Sequence, residues 1–450
     1  MTTIIEEGNK IGKVFVEKES MDTETYKQIV SMIKNETVEH ARIMPDCHKS
    51  KNCCVGFTSH LVDKIVPGFV GIDIGCGIVS YPLELEKKLK DWKERTLRKF
   101  ADSIFEDNKL KTWGGHNNIV DSYEDIQRIF YLANEEIKQF VTFYKHKFKV
   151  DLQEKAPIYN DEWLEKLLLK IKSNMNEFTM SLGTLGAGNH FIEFDRSEKT
   201  GMEYITVHSG SRIIGKKICD YHQNKITKQN EVDWTYFDQE VEKFNKKNKN
   251  KKERKEFRDK LREEIKIEKK KKFLDENDAI DYYFDMIFGQ KYAIVNREKM
   301  IQNALEKLNL SFDPSKKIES IHNYIDFTDF ILRKGAIQAQ KGKLCLIALN
   351  MRDGILLCEG KGNEDWNYSS AHGSGREMTR KVAFKKKQPM SKKLDKMFQD
   401  YDIINTLDSI YMVDEAPECY KETDFIRDRI EDSVEVLEQL KPFINIKYLS

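Results

Sequence analysis

The chain has 450 residues, with 76 Lys and Arg against 75 Asp and Glu, a formal net charge of +1. That balance excludes a global field pulling the protein onto nucleic acid or membrane, so any polyanion site must be local. Charged residues reach 34% and hydrophobic ones only 39%, yet 25 Phe, 18 Tyr and 5 Trp exclude a wholly disordered chain.

The first twenty residues are acidic where a signal peptide has a basic start and an apolar run. No run of about 18 apolar residues follows anywhere. A soluble, cytoplasmic protein with no membrane partner is expected. Eight cysteines are too sparse for a disulfide scaffold and are expected as thiols. Residues 1–85 read as short β-runs broken by turns: KVFVE, CCVGFTSHL and KIVPGFVGIDIGCGIVSYPL. From about residue 86 to 180, apolar residues recur every three or four positions, as in LKDWKERTLRKFADSIF and DEWLEKLLLKIKSNMNEF, which predicts helices covering that sheet. Two strand-like segments follow, GNHFIEF (188–194) and EYITVHSGS (203–211). Residues 225–275 read as a Lys-rich helical insertion. Within it, positions 243–272 carry 16 Lys and Arg in 30 residues with interspersed Glu, the pattern of a solvated helix or helical hairpin, with an RNA-backbone contact as the alternative. Strand and loop signals return in KLCLIALNMRDGILLCEGKG (343–362), and helix-like segments close the chain. Without an internal repeat or a Pro/Ser-rich linker, one continuous α/β domain with helical insertions is expected over residues 1–450.

The chemistry-bearing residues concentrate in short loops beside the β-runs. His48 lies in MPDCHKSKN, His190 in LGAGNHFIEF, His208 in ITVHSGSR, His322 in SIHNYIDF and His372 in SSAHGSGR. A rigid sheet can converge such loops on one point, and glycine lets backbone approach a ligand closely. Asp73 and Cys76, in GIDIGCG, place a carboxylate and a thiol on one turn. A carboxylate with neutral imidazoles suits Mn, Fe or Zn, and a thiolate can bridge two such ions. Cys47, Cys53 and Cys54 with His48 offer a competing zinc-like cluster, but no second Cys-x-x-Cys pair follows at finger spacing. HSGSR (208–212) and HGSGR (372–376) repeat one design. Each is a histidine, small residues with open N–H groups, an arginine and a helix-like stretch, which reads as a phosphate cradle. No GxxxxGK[ST] occurs, so the chain is not a P-loop NTPase. His372 is the best placed nucleophile toward phosphorus, and Asp46 is a plausible acceptor for its ring.

Taken in order, ARIMPDCH, VGIDIGCG, SLGTLGAGNHFIEF, VHSGSR, HNY, RKGA, EGKGNEDWN, HGSGR, DEAPECYK and KPFINIK resemble the landmarks of the RtcB family of RNA-splicing ligases. The resemblance implies a single α/β (α+β) domain with central β-sheets and a metal site in a cleft of strand-end loops. It also implies a Mn²⁺- and GTP-dependent ligase that joins RNA 2′,3′-cyclic phosphate or 3′-phosphate ends to 5′-hydroxyl ends, as on broken RNA or tRNA halves, through a histidine–GMP intermediate. Carried over residue by residue, His372 takes the GMP and Asp46 orients it. One manganese falls to Cys76, His208 and His322, the other to Asp73, Cys76 and His190. Asn189 and Arg212 meet phosphates, Gly373 and Ser374 line the nucleotide loop, and Glu193, Tyr420 and Lys447 fall where the family contacts guanine or its nucleoside. A carboxylate suits the two-donor edge of guanine and not adenine.

The chain departs from the family pattern twice. HKSKN replaces glycines after the MPD–His element, and IALNMRDG (347–354) replaces a Pro-Gly-Ser-Met-Gly loop, so Asn350, Arg352 and Asp353 stand where small phosphate-facing residues are usual. The alternative activity is a binuclear-metal RNA phosphoesterase that lacks productive guanylylation. A non-catalytic RNA-binding protein is the third reading.

Overall fold

The computed structural model describes residues 2–107, 122–229, 234–268 and 272–448. Parts of the Lys-rich segment, 230–233 and 269–271, lie outside the described residues. The fold is mixed α/β, built on two main sheets.

Strands whose residues are buried on both faces, such as Phe191–Ser197 and Glu203–Ser209, occupy the middle of an eight-stranded sheet, as near-continuous apolar runs do. Its path runs Ile318–Ile321, Gly77–Leu83, Glu203–Ser209, Phe191–Ser197, Val434–Ile446, Ile355–Gly360, Leu344–Ala348, and Ile404–Asn405 pairs with Val434–Ile446 from the side. A six-stranded sheet runs Thr3–Glu7, Lys10–Val14, Glu39–His48, Val55–His60, Ile331–Lys334, Asn323–Asp326. A single residue, His322, separates Ile318–Ile321 in the larger sheet from Asn323–Asp326 in the smaller one.

Register explains how distant loops meet. Gly77 pairs with Ile321 and with Ser209, and His208 pairs with Phe191. Because these strands are antiparallel, Cys76, His190, His208 and His322 all fall at one end of four adjacent strands.

The 32-residue helix Glu276–Lys307 lies against this sheet, and the periodicity reading missed it. The helix is buried on nearly every side, with Tyr282, Tyr283, Phe288 and Tyr292 fully buried and Asp285, Asn296, Arg297 and Glu298 buried among them, so no exposed polar stripe marks its period. The segment PGFV, read as strand, is a helical turn, Pro67–Val70, with proline at its start where the missing N–H costs nothing. Helices Trp234–Lys247 and Lys251–Glu268 pack on each other through stacked Phe244 and Phe257, with Phe237 and Leu261 buried between them in an apolar cluster of their own. No described helix is long and apolar enough to cross a membrane.

Candidate active site

The donor atoms converge at that strand end. The Cys76 Sγ lies 3.5 Å from His190 Nε2 and 3.4 Å from His208 Nε2. His208 Nε2 is 3.3 Å from His322 Nε2, and His190 Nε2 is 3.0 Å from an Asp73 carboxylate oxygen. His190 Nδ1 donates to the Leu185 carbonyl at 3.0 Å, which fixes the ring with Nε2 facing the sulfur and the carboxylate. Burial first, and then the neighbouring imidazoles, push His208 and His322 well below the ordinary histidine range, so both present neutral, ligand-competent nitrogens. Burial works against ionisation of Asp73, but the bond to His190 and the charges of His190 and Arg212 outweigh it and hold the carboxyl well below its usual range. Burial, with Asp73 alongside, raises the Cys76 thiol. Three imidazole nitrogens, a sulfur and a carboxylate are a donor set suited to borderline transition metals.

A helix behind the site fixes these loops. Arg297, fully buried on Glu276–Lys307, donates to the carbonyls of Gly75 at 2.7 Å and Ser209 at 2.8 Å, and is held by Glu319 at 2.8 Å. Those carbonyls flank Cys76 and His208. Asn296, beside it, donates to the Ser209 hydroxyl and the Gly210 carbonyl and accepts from the Thr184 N–H. Gly75 has φ +71°, and a Cβ there would come within 2.9 Å of Gln290 Cα on that helix, so only glycine permits this approach.

His372 follows the strand Ser369–Ala371, and its Nδ1 lies 2.6 Å from an oxygen of the fully buried Asp46 carboxylate. The same oxygen accepts the N–H groups of His372 at 3.2 Å and Gly373 at 3.3 Å. With Nδ1–H donating to Asp46, the free lone pair is on Nε2. The His372 ring stands 4.7 Å from the His322 ring, centroid to centroid.

Around both groups opens a cleft of about 890 Å³ lined by Asp73, Cys76, Asn189, Glu193, His208 and His322, together with His372, Gly373, Ser374, Tyr420 and Lys447. Asn189 is exposed at the rim. Glu193, 2% exposed, accepts the Asn445 amide at 2.6 Å. Burial, then the neighbouring Asp195 carboxyl, push Glu193 well above the carboxylate range, with Lys447 opposing. Lys447, nearly buried, donates to the His190 carbonyl at 3.4 Å and pairs with Glu415 at 3.5 Å.

A single family description, "tRNA-splicing ligase RtcB", matches residues 28–448. The chain belongs to the RtcB family. It is 24% identical to "RNA-splicing ligase RtcB" of Escherichia coli (strain K12), over 97% of each chain. It is 23% identical to "tRNA-splicing ligase RtcB" of Methanococcus maripaludis, over 94% of this chain and 91% of that one. "RNA-splicing ligase RtcB homolog 1" of Entamoeba dispar is 28% identical over a shorter stretch, 40% of this chain and 35% of that one.

Several details of this RtcB site differ from the sequence expectation. Only HSGSR opens a helix directly, Arg212–Gln229; after HGSGR the next helix starts at Arg380. Arg376 turns from the phosphate position to Glu415, 3.0 Å away, and to the Tyr420 hydroxyl at 3.1 Å, because the buried Glu415 carboxylate needs a cation. Arg212 does not line the cleft; its guanidinium packs behind Gly186 and reaches Thr184 at 3.2 Å. In the departed loop, Asn350 and Met351 face the cleft. Arg352 and Asp353 turn aside onto each other, with Asn350 at 2.9 Å and Thr423 at 2.9 Å also donating to the Asp353 carboxylate. Of Asn350, Arg352 and Asp353, only Asn350 lines the cleft. Cys47, Cys53 and Cys54 are buried thiols in the core, and among the described residues none joins a group of metal donors.

The sequence reading also missed Arg297, Asn296 and Glu415. Nothing local marks them, since their partners lie far along the chain. A second ligand-type group, His222, Asp281 and Asp285, was missed as well. The i, i+4 spacing of its two aspartates on one helix face was the available signal, but Lys170 bridges both carboxylates, at 3.0 and 2.7 Å.

Proposed function

We propose that this chain, an RNA ligase of the RtcB family, joins RNA ends bearing a 2′,3′-cyclic phosphate or 3′-phosphate to ends bearing a 5′-hydroxyl, using GTP and His372 as the nucleophile. The observation that carries this reading is the His372–Asp46 pair beside the His/Cys/Asp cluster. A neutral imidazole whose Nδ1–H is held by a buried carboxylate keeps its Nε2 lone pair for attack and has its developing positive charge stabilised in place. Nε2 attacks the α-phosphorus of GTP, pyrophosphate leaves, and GMP is carried on His372. The GMP then passes to the RNA 3′-phosphate, and the 5′-hydroxyl displaces it as the phosphodiester forms.

Cys76, His208 and His322 would hold one Mn²⁺, and Asp73, Cys76 and His190 the other, with Cys76 shared. Bound there, the ions supply Lewis acidity toward phosphate oxygens. Gly373 and Ser374 line the nucleotide loop beside His372, and Asn189 reaches the phosphates from the rim. Glu193, Tyr420 and Lys447 surround the guanosine. RNA, including tRNA halves, is the partner, in a cytoplasmic setting. Residues 225–275 are an insertion within one ligase domain, its described part the helices Trp234–Lys247 and Lys251–Glu268.

Incubation with labelled GTP and Mn²⁺ followed by a denaturing gel tests the reading, with a covalent GMP adduct on His372 expected. No adduct, together with continued opening of cyclic-phosphate RNA, would favour the phosphoesterase instead.

A further inference from the structure

The segment leaving the active-site cleft is strongly unbalanced in charge. Residues 380–396 carry eight Lys and Arg and one acidic residue, Asp395, a local charge of +7. They form the helices Arg380–Lys385 and Lys387–Asp400. Arg380 lines the cleft and is taken up by Asp414 and Glu415. The six lysines at 381, 385, 386, 392, 393 and 396 are exposed, and among the described residues they make no ion pair. The Lys-rich hairpin differs: its lysines meet its own carboxylates, as in Lys243 with Glu240 at 2.6 Å and Lys246 with Glu242 at 2.8 Å. Four of its lysines thus meet carboxylates within the hairpin, Lys252 and Lys260 being the other two.

A second cavity, of about 380 Å³, opens on this platform. Lys393, Lys396, Met397 and Tyr401 line it from one helix face, at i, i+3, i+4 and i+8 spacing, and Arg352 closes it from the opposite side. Asn350 lines both this cavity and the active-site cleft, so the two adjoin at the loop that departs from the family pattern. Tyr401 is 53% exposed, a flat ring flanked by cations. Asp400 and Glu418 also reach the wall and can accept from base amino groups.

We infer that the helices Arg380–Lys385 and Lys387–Asp400 form a track for single-stranded RNA leading out of the cleft, with one nucleotide seated in the cavity beside Asn350, its base on Tyr401 and its phosphate on Lys393 and Lys396. The occupant is RNA because the track begins at the rim of the ligation cleft and pairs unneutralised cations with an open aromatic ring, the combination that holds single strands. The IALNMRDG departure then builds one wall of this subsite. The inference rests on the ligase reading for its substrate, and the test separates the two.

The double variant K393E/K396E and the variant Y401A are titrated with fluorescein-labelled single-stranded RNA ending in a 3′-phosphate across a salt series, and their GMP adducts are measured in parallel. K393E/K396E should weaken binding and flatten the slope of log affinity against log salt by about 1.4, two phosphates at roughly 0.7 each. Y401A should weaken binding at least about fivefold with the salt slope unchanged. Adduct formation should match the parent in both. The hairpin control K243E/K246E, at lysines already paired within the hairpin, should bind RNA normally. K393Q/K396Q serves if charge reversal unfolds the helix. Unchanged RNA affinity and slope in both lysine variants would overturn the track. So would loss of poly-glutamate binding with RNA binding intact, which would assign the surface to an acidic protein. Absence of an adduct in the parent protein would instead defeat the ligase reading while leaving the RNA titrations to decide the track.

Discussion

Asp46→Asn tests the central chemistry with almost no change in shape. The Asp46 carboxylate is fully buried, and one oxygen takes three donors: the His372 ring at 2.6 Å and the N–H groups of His372 and Gly373 at 3.2 and 3.3 Å. In asparagine the carbonyl oxygen can keep those contacts, but the amide NH₂ then occupies the position of the other oxygen, which has no partner in the native fold. If the amide flips, its N–H groups face the ring and force the proton onto Nε2, removing the attacking lone pair. The first arrangement forfeits a charge-assisted hydrogen bond, about 1.5–3 kcal/mol. The second disables the nucleophile, and loss of the carboxylate partner of a catalytic histidine in a serine-protease triad costs about 10⁴ in rate. The expected outcome is adduct formation slowed by about 10–10⁴, with metal content unchanged. The assay is the rate of labelled GMP transfer to protein in single turnover. RNA already carrying GMP at its 3′ end should still be sealed, because that step needs no adduct. A parent-like adduct rate in Asp46→Asn would refute the orienting role, and equal loss of sealing on pre-activated RNA would place Asp46 in the later step.

His372→Ala should abolish the adduct while retaining bound metal, whereas Cys76→Ala should lose metal, as measured by elemental analysis of the purified protein; parent-like metal content in Cys76→Ala would sink the shared-ligand arrangement. Arg297→Met leaves the Gly75 and Ser209 carbonyls without their donor and Glu319 without its closest cation. It should lower metal affinity by about 10–100-fold and reduce stability by about 3–5 kcal/mol, read by metal titration and thermal unfolding. For Asp353, burial opposes ionisation, but hydrogen bonds from Arg352, Asn350 and Thr423 outweigh it and bring the carboxyl down to about 2 from an ordinary 3.8. A depressed carboxyl stabilises the fold above its ordinary value and loses that contribution as pH falls from about 4 toward 2. Asp353→Asn should therefore cost about 1–2 kcal/mol at neutral pH and little near pH 2, and a pH-independent difference in denaturant midpoint would contradict this.

Much of the site was legible in the residues themselves. The loops of Asp73, Cys76, His190, His208, His322 and His372 stood out because histidine, glycine and small residues cluster beside β-runs, and strand register then gathers four of those positions at one sheet end. Tertiary structure alone decided the rest. The helix Glu276–Lys307 is buried on so many sides that it lacks the polar stripe by which a helix shows its 3.6-residue period. Arg297 bonds to Gly75 across 222 positions, and Asp46 to His372 across 326. Arg376 answers to Glu415 and Tyr420, because a buried carboxylate must find a cation within reach. Local sequence carries the period of a segment and the chemistry of a side chain. Which distant group a side chain neutralises depends on burial, and burial exists only once the sheets and the central helix have packed.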